Sequence, residues 1–409
     1  MIKQTTLKEV VEQQLQNLRK ANPGQIRHLL VQLRLDSPQH ALIISGIRRC
    51  GKSTLLHQLI DTVSESYFYL NFDSAKLYNF EIADFELLDE HIAATMCKKL
   101  FFDEIQTVQG WELYVRQKLD EGYEVVVTGS NASMLSKELG TKLTGRHLTK
   151  ELFPFSFEEF CTYKNITNNA DALTKYMETG GFPGYVQTEN PDIHTTLLDD
   201  IIYRDVAVRY NIRDVQSLKR LIIFLASNIG NLISATKLTQ LVGIKSTATV
   251  IEYLSFFEQS YLIQLMPKFS YSYKVQLVNP RKVYCIDGGL QTAISGSFNS
   301  DYGRKLENMV FWELRRLQKE LFYYNENGKE CDFVVCKNNK VEQLIQVCYT
   351  FNNQNETREV EGLLDAMNFF ELEKGVILTN NQQDVILKAG KRIELIPVYV
   401  YFFNNNDKS

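Results

Sequence analysis

No stretch of this 409-residue chain approaches 18 consecutive apolar residues, so the sequence offers no membrane-spanning helix. The opening MIKQTTLKEVVEQQLQ is polar and helical in rhythm, with no charged segment leading into an apolar one, which predicts a cytoplasmic protein without a secretory leader or membrane partner. A cysteine framework is missing too. The seven cysteines (Cys50, Cys97, Cys161, Cys285, Cys331, Cys336 and Cys348) are odd in number and never spaced as CxxC, which speaks against a disulfide scaffold and against a zinc site. They read as reduced, buried small residues. Charge of one sign is lacking: the net is -4, so any contact with nucleic acid must come from a local patch. Internal repeats are absent. What remains, 44% hydrophobic and 23% charged residues, is the composition of a globular protein with room for two or three domains.

Against that background, Gly46-Ile47-Arg48-Arg49-Cys50-Gly51-Lys52-Ser53 stands out, directly after the apolar run Ala41-Leu42-Ile43-Ile44. Glycines at both ends let a loop curl so that successive backbone N–H groups point inward at a β-phosphate. Lys52 adds a mobile positive charge for the β- and γ-phosphates, and the Ser53 hydroxyl suits Mg²⁺. A helix beginning near Lys52, through Thr54-Leu55-Leu56-His57-Gln58-Leu59-Ile60, aims its positive dipole end at the same place. Strand, loop and helix follow in the order that a nucleoside-triphosphate cradle needs, with residues 46–54 as its binding residues.

The chain from Ala41 to about Phe155 alternates strand-like and helix-like segments, as expected of a parallel sheet covered by helices. Strands are predicted at 41–45, 67–72, 99–103, 124–129 and 147–153. Leu7, Val10, Val11, Leu15 and Leu18 recur at helical spacing ahead of them and predict an amphipathic helix packed on this domain. Residues 156–212 read as mostly helical around a turn at Gly180-Gly181-Phe182-Pro183-Gly184 that could act as a hinge. Helices at 214–227, 234–241 and 246–259 followed by a strand at 261–265 outline a winged helix. The last part reads as a helix from 303, strands at 331–336 and 343–349, a helix at 356–370, and strands at 375–379 and 393–402, with Asn-rich loop and tail at 352–355 and 404–406.

A phosphate cradle alone does not separate kinases, GTPases and ATPases; the acids downstream do. Phe101-Phe102-Asp103-Glu104 ends an apolar strand in two carboxylates. Asp103 suits the Mg²⁺ shell, and Glu104 is placed to polarise the water that attacks a γ-phosphate. Val125-Val126-Val127-Thr128-Gly129-Ser130-Asn131 ends another strand in small polar residues, so Ser130 or Asn131 could meet the γ-phosphate or that water, or else cap the helix predicted from Ala132 to residue 139. Hydrolysis also calls for positive charge on the developing γ-phosphate. Arg146, in Lys142-Leu143-Thr144-Gly145-Arg146, is the candidate arginine finger, reaching a neighbouring subunit's nucleotide in a homo-oligomer; Arg204 and Arg209 are rivals.

GIRRCGKSTLL, FFDEIQ, VVVTGSN, TGRHLTKELFPFSFEEF, GGFPGYV, GRKLENMVFWEL and KECDFVV, in that order over nearly the whole chain, resemble the predicted prokaryotic AAA-type ATPases that carry a C-terminal domain of unknown function. The resemblance implies an α/β fold: a P-loop NTPase parallel sheet of the additional-strand type, followed by a winged helix and a small α/β restriction-endonuclease-like domain. It implies ATP and Mg²⁺, with Lys52, Ser53, Asp103 and Glu104 in the roles above and a polar sensor around Ser130. The domains expected are 1–158 for the ATPase, 159–212 for a helical lid, 213–285 for the winged helix and 286–409 for the nuclease-like part. In that last part the chain departs from the nuclease pattern. Glu307 and Asp332 match it, but the Glu-x-Lys positions read Gln346-Val347-Cys348. A neutral amide is a poorer Mg²⁺ ligand than a carboxylate, and cysteine lacks the lysine's charge, so no nuclease activity is expected.

The third helix of the winged-helix outline carries Glu252 and no base, and Val250, Ile251, Leu254 and Phe257 fit its inward face. Lys268, Tyr271, Tyr273 and Lys274 in the wing could still touch a nucleic-acid backbone. The expectation is an ATPase whose hydrolysis drives domain movement or recruits a DNA or protein partner. The alternatives are a slow nucleotide-dependent switch or adaptor, or a DNA-binding, nucleic-acid-processing protein.

Overall fold

The computed structural model describes residues 2–35, 37, 39–130, 143, 145–296, 301–317 and 320–406. The chain divides into two compact units, Met1–Phe153 and Pro154–Ser409. Asn131 and the helix predicted at 132–139 lie outside the described residues.

In the first unit, β1 (Ala41–Ser45), β2 (Tyr67–Asn71), β3 (Lys99–Asp103), β4 (Glu124–Gly129) and β5 (His147–Glu151) form one parallel sheet in the order β2-β3-β4-β1-β5. β4 lies between β1 and β3, so one strand separates the loop-bearing strand from the acidic one. The apolar runs that predicted β1 to β4 suit them because both faces are covered, every residue of β1 being buried, whereas β5 at the sheet edge is half-exposed and Leu148 faces outward. Leu7, Val10 and Val11 of helix α1 (Gln4–Lys20) join Phe68, Leu70, Leu100 and Phe102 in the core, and Leu15 packs against it. Helix α2 (Lys52–Asp61) leaves β1 through the glycine-bearing loop.

The second unit opens with helices Phe157–Lys164, Ala170–Thr179, Pro183–Thr188 and Asp192–Asp200, the last widening into a π-type stretch at Ile201–Val208. Ser156 and Glu159 cap the first of these reciprocally. At the Gly180–Gly184 break the backbone is tied to its surroundings through Gly181. Gly181 donates its N–H to the Asp287 carboxylate at 2.6 Å and accepts from the Phe155 N–H at 2.7 Å. Three helices follow, Val215–Ala226, Ala235–Val242 and Thr247–Gln259, with a three-stranded antiparallel sheet of β6 (Leu232–Ile233), β7 (Ile263–Met266) and β8 (Arg281–Cys285) in the order β6-β8-β7. On the third helix Ile251 points outward, 56% exposed, and Tyr253 takes the inward place expected of it. Val250, Tyr253, Leu254 and Phe257 are the set that shares one helical face, and residue 251 lies about 100° away from Val250.

Helix Tyr302–Arg316 leads into a mixed six-stranded sheet. Its strands are β9 (Glu320–Glu326), β10 (Lys329–Lys337), β11 (Lys340–Val347), β12 (Lys374–Thr379), β13 (Asp384–Lys388) and β14 (Lys391–Pro397), in the order β13-β14-β12-β11-β10-β9. Helix Glu356–Phe369 packs Val360, Leu363 and Met367 into its core. The strand expected at 393–402 stops at Pro397, and Val398–Asn406 is helical, including the Asn-rich stretch expected to be tail. Proline has no N–H to extend the ladder and its fixed φ suits the entry to a helix. The short segment after β7 runs beside β9: Tyr323 donates its N–H to the Pro267 carbonyl at 3.1 Å, and Phe269 donates to the Tyr323 carbonyl at 2.8 Å.

A Cβ added at Gly181 would lie 2.2 Å from the Phe155 carbonyl oxygen, a contact that only a backbone shift can relieve. Gly181→Ala is expected to destabilise the folded chain by about 1–3 kcal/mol, read as a lower midpoint in thermal or urea denaturation.

Candidate nucleotide-binding site

The cradle owes its first glycine to close packing. A Cβ on Gly46 would lie 2.1 Å from the Leu152 carbonyl oxygen, where the chain after β5 runs beside the end of β1. Beyond it Ile47 and Cys50 are buried, Arg48 is half-buried and Arg49 is exposed. Arg49 and Gly51 have φ of 63° and 102°, a left-handed path that curls the loop before α2 begins at Lys52. The Cys50 thiol donates to the Leu152 carbonyl at 3.3 Å, and burial pushes its pKa up, which makes it a packing residue rather than a nucleophile.

The loop is held from beneath by a residue that no sequence motif marks. The buried Arg27 guanidinium donates from Nη1 to the Cys50 carbonyl and from Nη2 to the Phe153 carbonyl, each at 2.7 Å. Gln58 of α2 fixes the segment that carries it, donating to the Pro23 and Gln25 carbonyls at 2.7 Å and accepting from the Arg27 N–H at 3.2 Å. Nothing in the residues around Arg27 signals this role, because its partners lie far along the chain.

Lys52 is only 4% exposed. Its ammonium donates to the Gly46 and Ile47 carbonyls at 3.1 Å and stands 3.8 Å from Glu104 Oε1. Asp103, fully buried at the end of β3, accepts from the Thr128 hydroxyl on one oxygen and from the Asn71 amide at 3.0 Å on the other. The Ser53 hydroxyl also acts on this carboxylate, favouring its ionised form. Burial raises the Asp103 pKa, with the Thr128 hydrogen bond opposing it. Glu104 follows in a left-handed conformation, φ 51° and ψ 36°, with its N–H on the Thr128 hydroxyl at 3.0 Å. Its Oε2 accepts from the Gln106 amide, which also reaches Ser130 Oγ at 3.5 Å.

The structure therefore brings Lys52, Ser53, Asp103, Glu104 and Ser130 together at the C-terminal ends of β1, β3 and β4, where open parallel sheets hold their ligands. Thr54 lies in the first turn of α2. Asn71, Thr128 and Gln106 join them without being marked as site residues by the sequence, although Gln106 stands within FFDEIQ. The donor set fits Mg²⁺: one carboxylate and one hydroxyl, both hard oxygen ligands, with phosphate oxygens of a nucleotide to complete the shell. Among the described residues, no group of three or more His, Cys, Asp and Glu side chains could hold a metal ion by itself.

Arg146 stands elsewhere. It precedes β5 where His147 pairs with Ala41, at the end of the sheet opposite the cradle, and its Nη1 is 2.8 Å from Asp120 Oδ1. Arg204, in the second unit, lies 3.6 Å from Asp200 one helical turn back, and Arg209 is exposed. Lys268, expected in a wing, is 2.8 Å from Glu326, so its charge is already matched within the chain. Glu307, Asp332 and Gln346 do come together, with Lys282 from β8 among them, whereas the Cys348 thiol turns to the Thr350 carbonyl. No helix among the described residues is long and apolar enough to cross a membrane.

Arg27→Met would leave two buried carbonyls without their donor, a loss of about 1–3 kcal/mol for each. The variant is expected to melt lower and to lose the stabilisation that ATP gives the parent chain, measured by thermal shift with and without nucleotide.

An AAA domain model matches residues 38–161, and two domains of unknown function, DUF8612 and DUF4143, match 170–301 and 302–401. An uncharacterised protein of Methanocaldococcus jannaschii is 35% identical over 384 residues, spanning 88% of this chain and 86% of its own. An uncharacterised protein of Haemophilus influenzae is 33% identical over 343 residues, 79% of this chain and 85% of its own. Among solved structures, the Thermotoga maritima RuvB Holliday junction branch migration motor shares 14% identity over 62% of this chain and 89% of its own, with a TM-score of 0.30, a likeness too loose to build on. On the matched domains in their order and on a 35%-identical relative that spans most of both chains, this protein belongs to the family in which an AAA domain is followed by two domains of unknown function.

Proposed function

We propose that the chain binds ATP together with Mg²⁺ and hydrolyses the γ-phosphate. One observation carries this reading: a buried lysine, a serine–aspartate pair and a second carboxylate converge at the strand ends of an AAA domain. The amides of the 46–51 loop and the Lys52 ammonium would bind the phosphates. Ser53 and Asp103 would hold Mg²⁺, which supplies charge neutralisation at the phosphate oxygens. Glu104 orients the attacking water and takes its proton, with Gln106 holding the carboxylate and Ser130 offering a hydroxyl beside it. Asn131 would add a polar group next to Ser130. Arg146 faces away from its own cradle, so as an arginine finger it would serve only a neighbouring subunit in a homo-oligomer; Arg204 and Arg209 remain rivals for that role.

The finer division of the chain belongs to the same proposal: an ATPase domain at 1–158, a helical lid at 159–212, a winged helix at 213–285 and a restriction-endonuclease-like domain without nuclease activity at 286–409. Three helices with a β6-β8-β7 sheet support the winged helix. The meeting of Glu307 with Asp332 supports the nuclease-like ancestry. ATP turnover would then move this region or recruit a DNA or protein partner to it.

A slow nucleotide-dependent switch is the second reading, favoured by the engagement of Glu104 with both Gln106 and Lys52. Phosphate release separates the two. Under the leading proposal, purified protein releases phosphate from ATP with Mg²⁺ and stops when the metal is chelated. Lys52→Ala loses both ATP binding and release. Glu104→Gln keeps binding while release falls roughly 10²–10⁴-fold. Tight binding with negligible release in the parent chain would favour the switch, and equal release by the parent and both variants would remove the assignment.

A further inference from the structure

Lys282 stands between Glu307 and Asp332, the two acids that the nuclease resemblance would assign to a metal ion. It enters from β8, while the acids around it come from helix Tyr302–Arg316 and from β10. Its Nζ lies 3.0 Å from Glu307 Oε1, 2.6 Å from Glu330 Oε1 and 2.8 Å from Asp332 Oδ1. Two of the ammonium's three N–H donors go to Glu307 and Asp332, and Glu330 adds an ion-pair contact beside them. Lys282 is 2% exposed, so the match is made out of water, where an unmatched charge could not persist.

Asp332 and Glu330 are engaged on their other oxygens as well, and Glu307 a second time on the same one. Glu307 Oε1 also accepts from the Tyr284 hydroxyl at 2.7 Å, and a Cβ on Gly230 would lie 2.9 Å from its Oε2. Asp332 Oδ2 accepts from the Val347 N–H at 2.9 Å, and Glu330 Oε2 from the Asn325 amide at 3.0 Å. Gln346, at the position of a third metal ligand, accepts from the Asp332 N–H at 3.1 Å and donates to the buried Glu359 at 2.6 Å. The distances around Nζ are those of ammonium hydrogen bonds, longer than the about 2.1 Å that Mg²⁺ demands. Burial alone would lower the Lys282 pKa, but Asp332 and Glu307 overcome it and hold the amine protonated.

We propose that the Lys282 ammonium is the resident cation of this centre, filling the place of a divalent metal and binding β8 to the C-terminal sheet. The centre then needs no metal and takes none. It also makes the β6-β8-β7 sheet and the six-stranded sheet one body, aided by the strand-like contact of Pro267 and Phe269 with Tyr323. This inference does not rest on the nucleotide reading, and either can fail alone.

The test uses the full chain without nucleotide and Mn²⁺ as the probe, followed by electron paramagnetic resonance and by thermal melting. The parent protein is expected to show no Mn²⁺ site that Asp332→Asn removes, and no Mn²⁺-dependent rise in its midpoint. Lys282→Ala should melt roughly 6–20 °C lower, as expected for removing one partner of a buried ion network. It should gain a Mn²⁺ site that also raises its midpoint and that is lost in the Lys282→Ala, Asp332→Asn double variant. If the alanine variant does not fold, Lys282→Gln carries the same comparison. Mn²⁺ bound by the parent chain and released by Asp332→Asn would overturn the proposal, as would folded Lys282 variants that gain no site.

Discussion

A buried cation must be matched where it stands, and this chain solves that requirement twice with opposite outcomes. Lys52 meets two backbone carbonyls and, at 3.8 Å, a carboxylate that Gln106 also holds. Its positive charge is only partly balanced, and the loop amides and the start of α2 add more of the same sign. That centre is built to receive an anion. Lys282 meets three carboxylates at hydrogen-bonding distance, an excess of negative charge that its own amine and the surrounding donors quiet from within. One lysine leaves a site open and the other closes one, and the difference lies in the partners rather than in burial.

Much of the first unit is legible in the amino-acid sequence alone, because β1 to β4 are covered on both faces and write themselves as apolar runs; the edge strand β5 is half-exposed and does not. The same logic fails at Val398-Tyr399-Val400-Tyr401-Phe402, an apolar run that is helix, since only the proline before it, and not the run itself, marks the change. β6 is two residues long, and β13 is largely exposed, so neither carries a usable pattern. Ile251 shows the opposite error: an apolar residue one step off the buried face of its helix reads as part of that face.

The candidate site divides along the same line. Residues 46–54 and the Asp103-Glu104 pair are contiguous, so their chemistry is visible as a motif. Arg27 and Asn71 act from separate elements, and Lys282 reaches its acids from the neighbouring sheet, so each is invisible until the fold brings it in; Thr128 stands in VVVTGSN, but its bond to Asp103 shows only in the fold. Gln346 and Cys348 stand out as departures from a nuclease pattern, but the lysine that meets Glu307 and Asp332 does not, because it lies more than sixty residues upstream of Gln346 and Cys348.

Glu104 is the one acidic residue of the site held in a left-handed backbone conformation. That geometry costs a side-chain-bearing residue roughly 1–2 kcal/mol, and glycine or asparagine would adopt it more readily. A chain released from the demands of this site would gain stability by drifting to one of those residues at position 104.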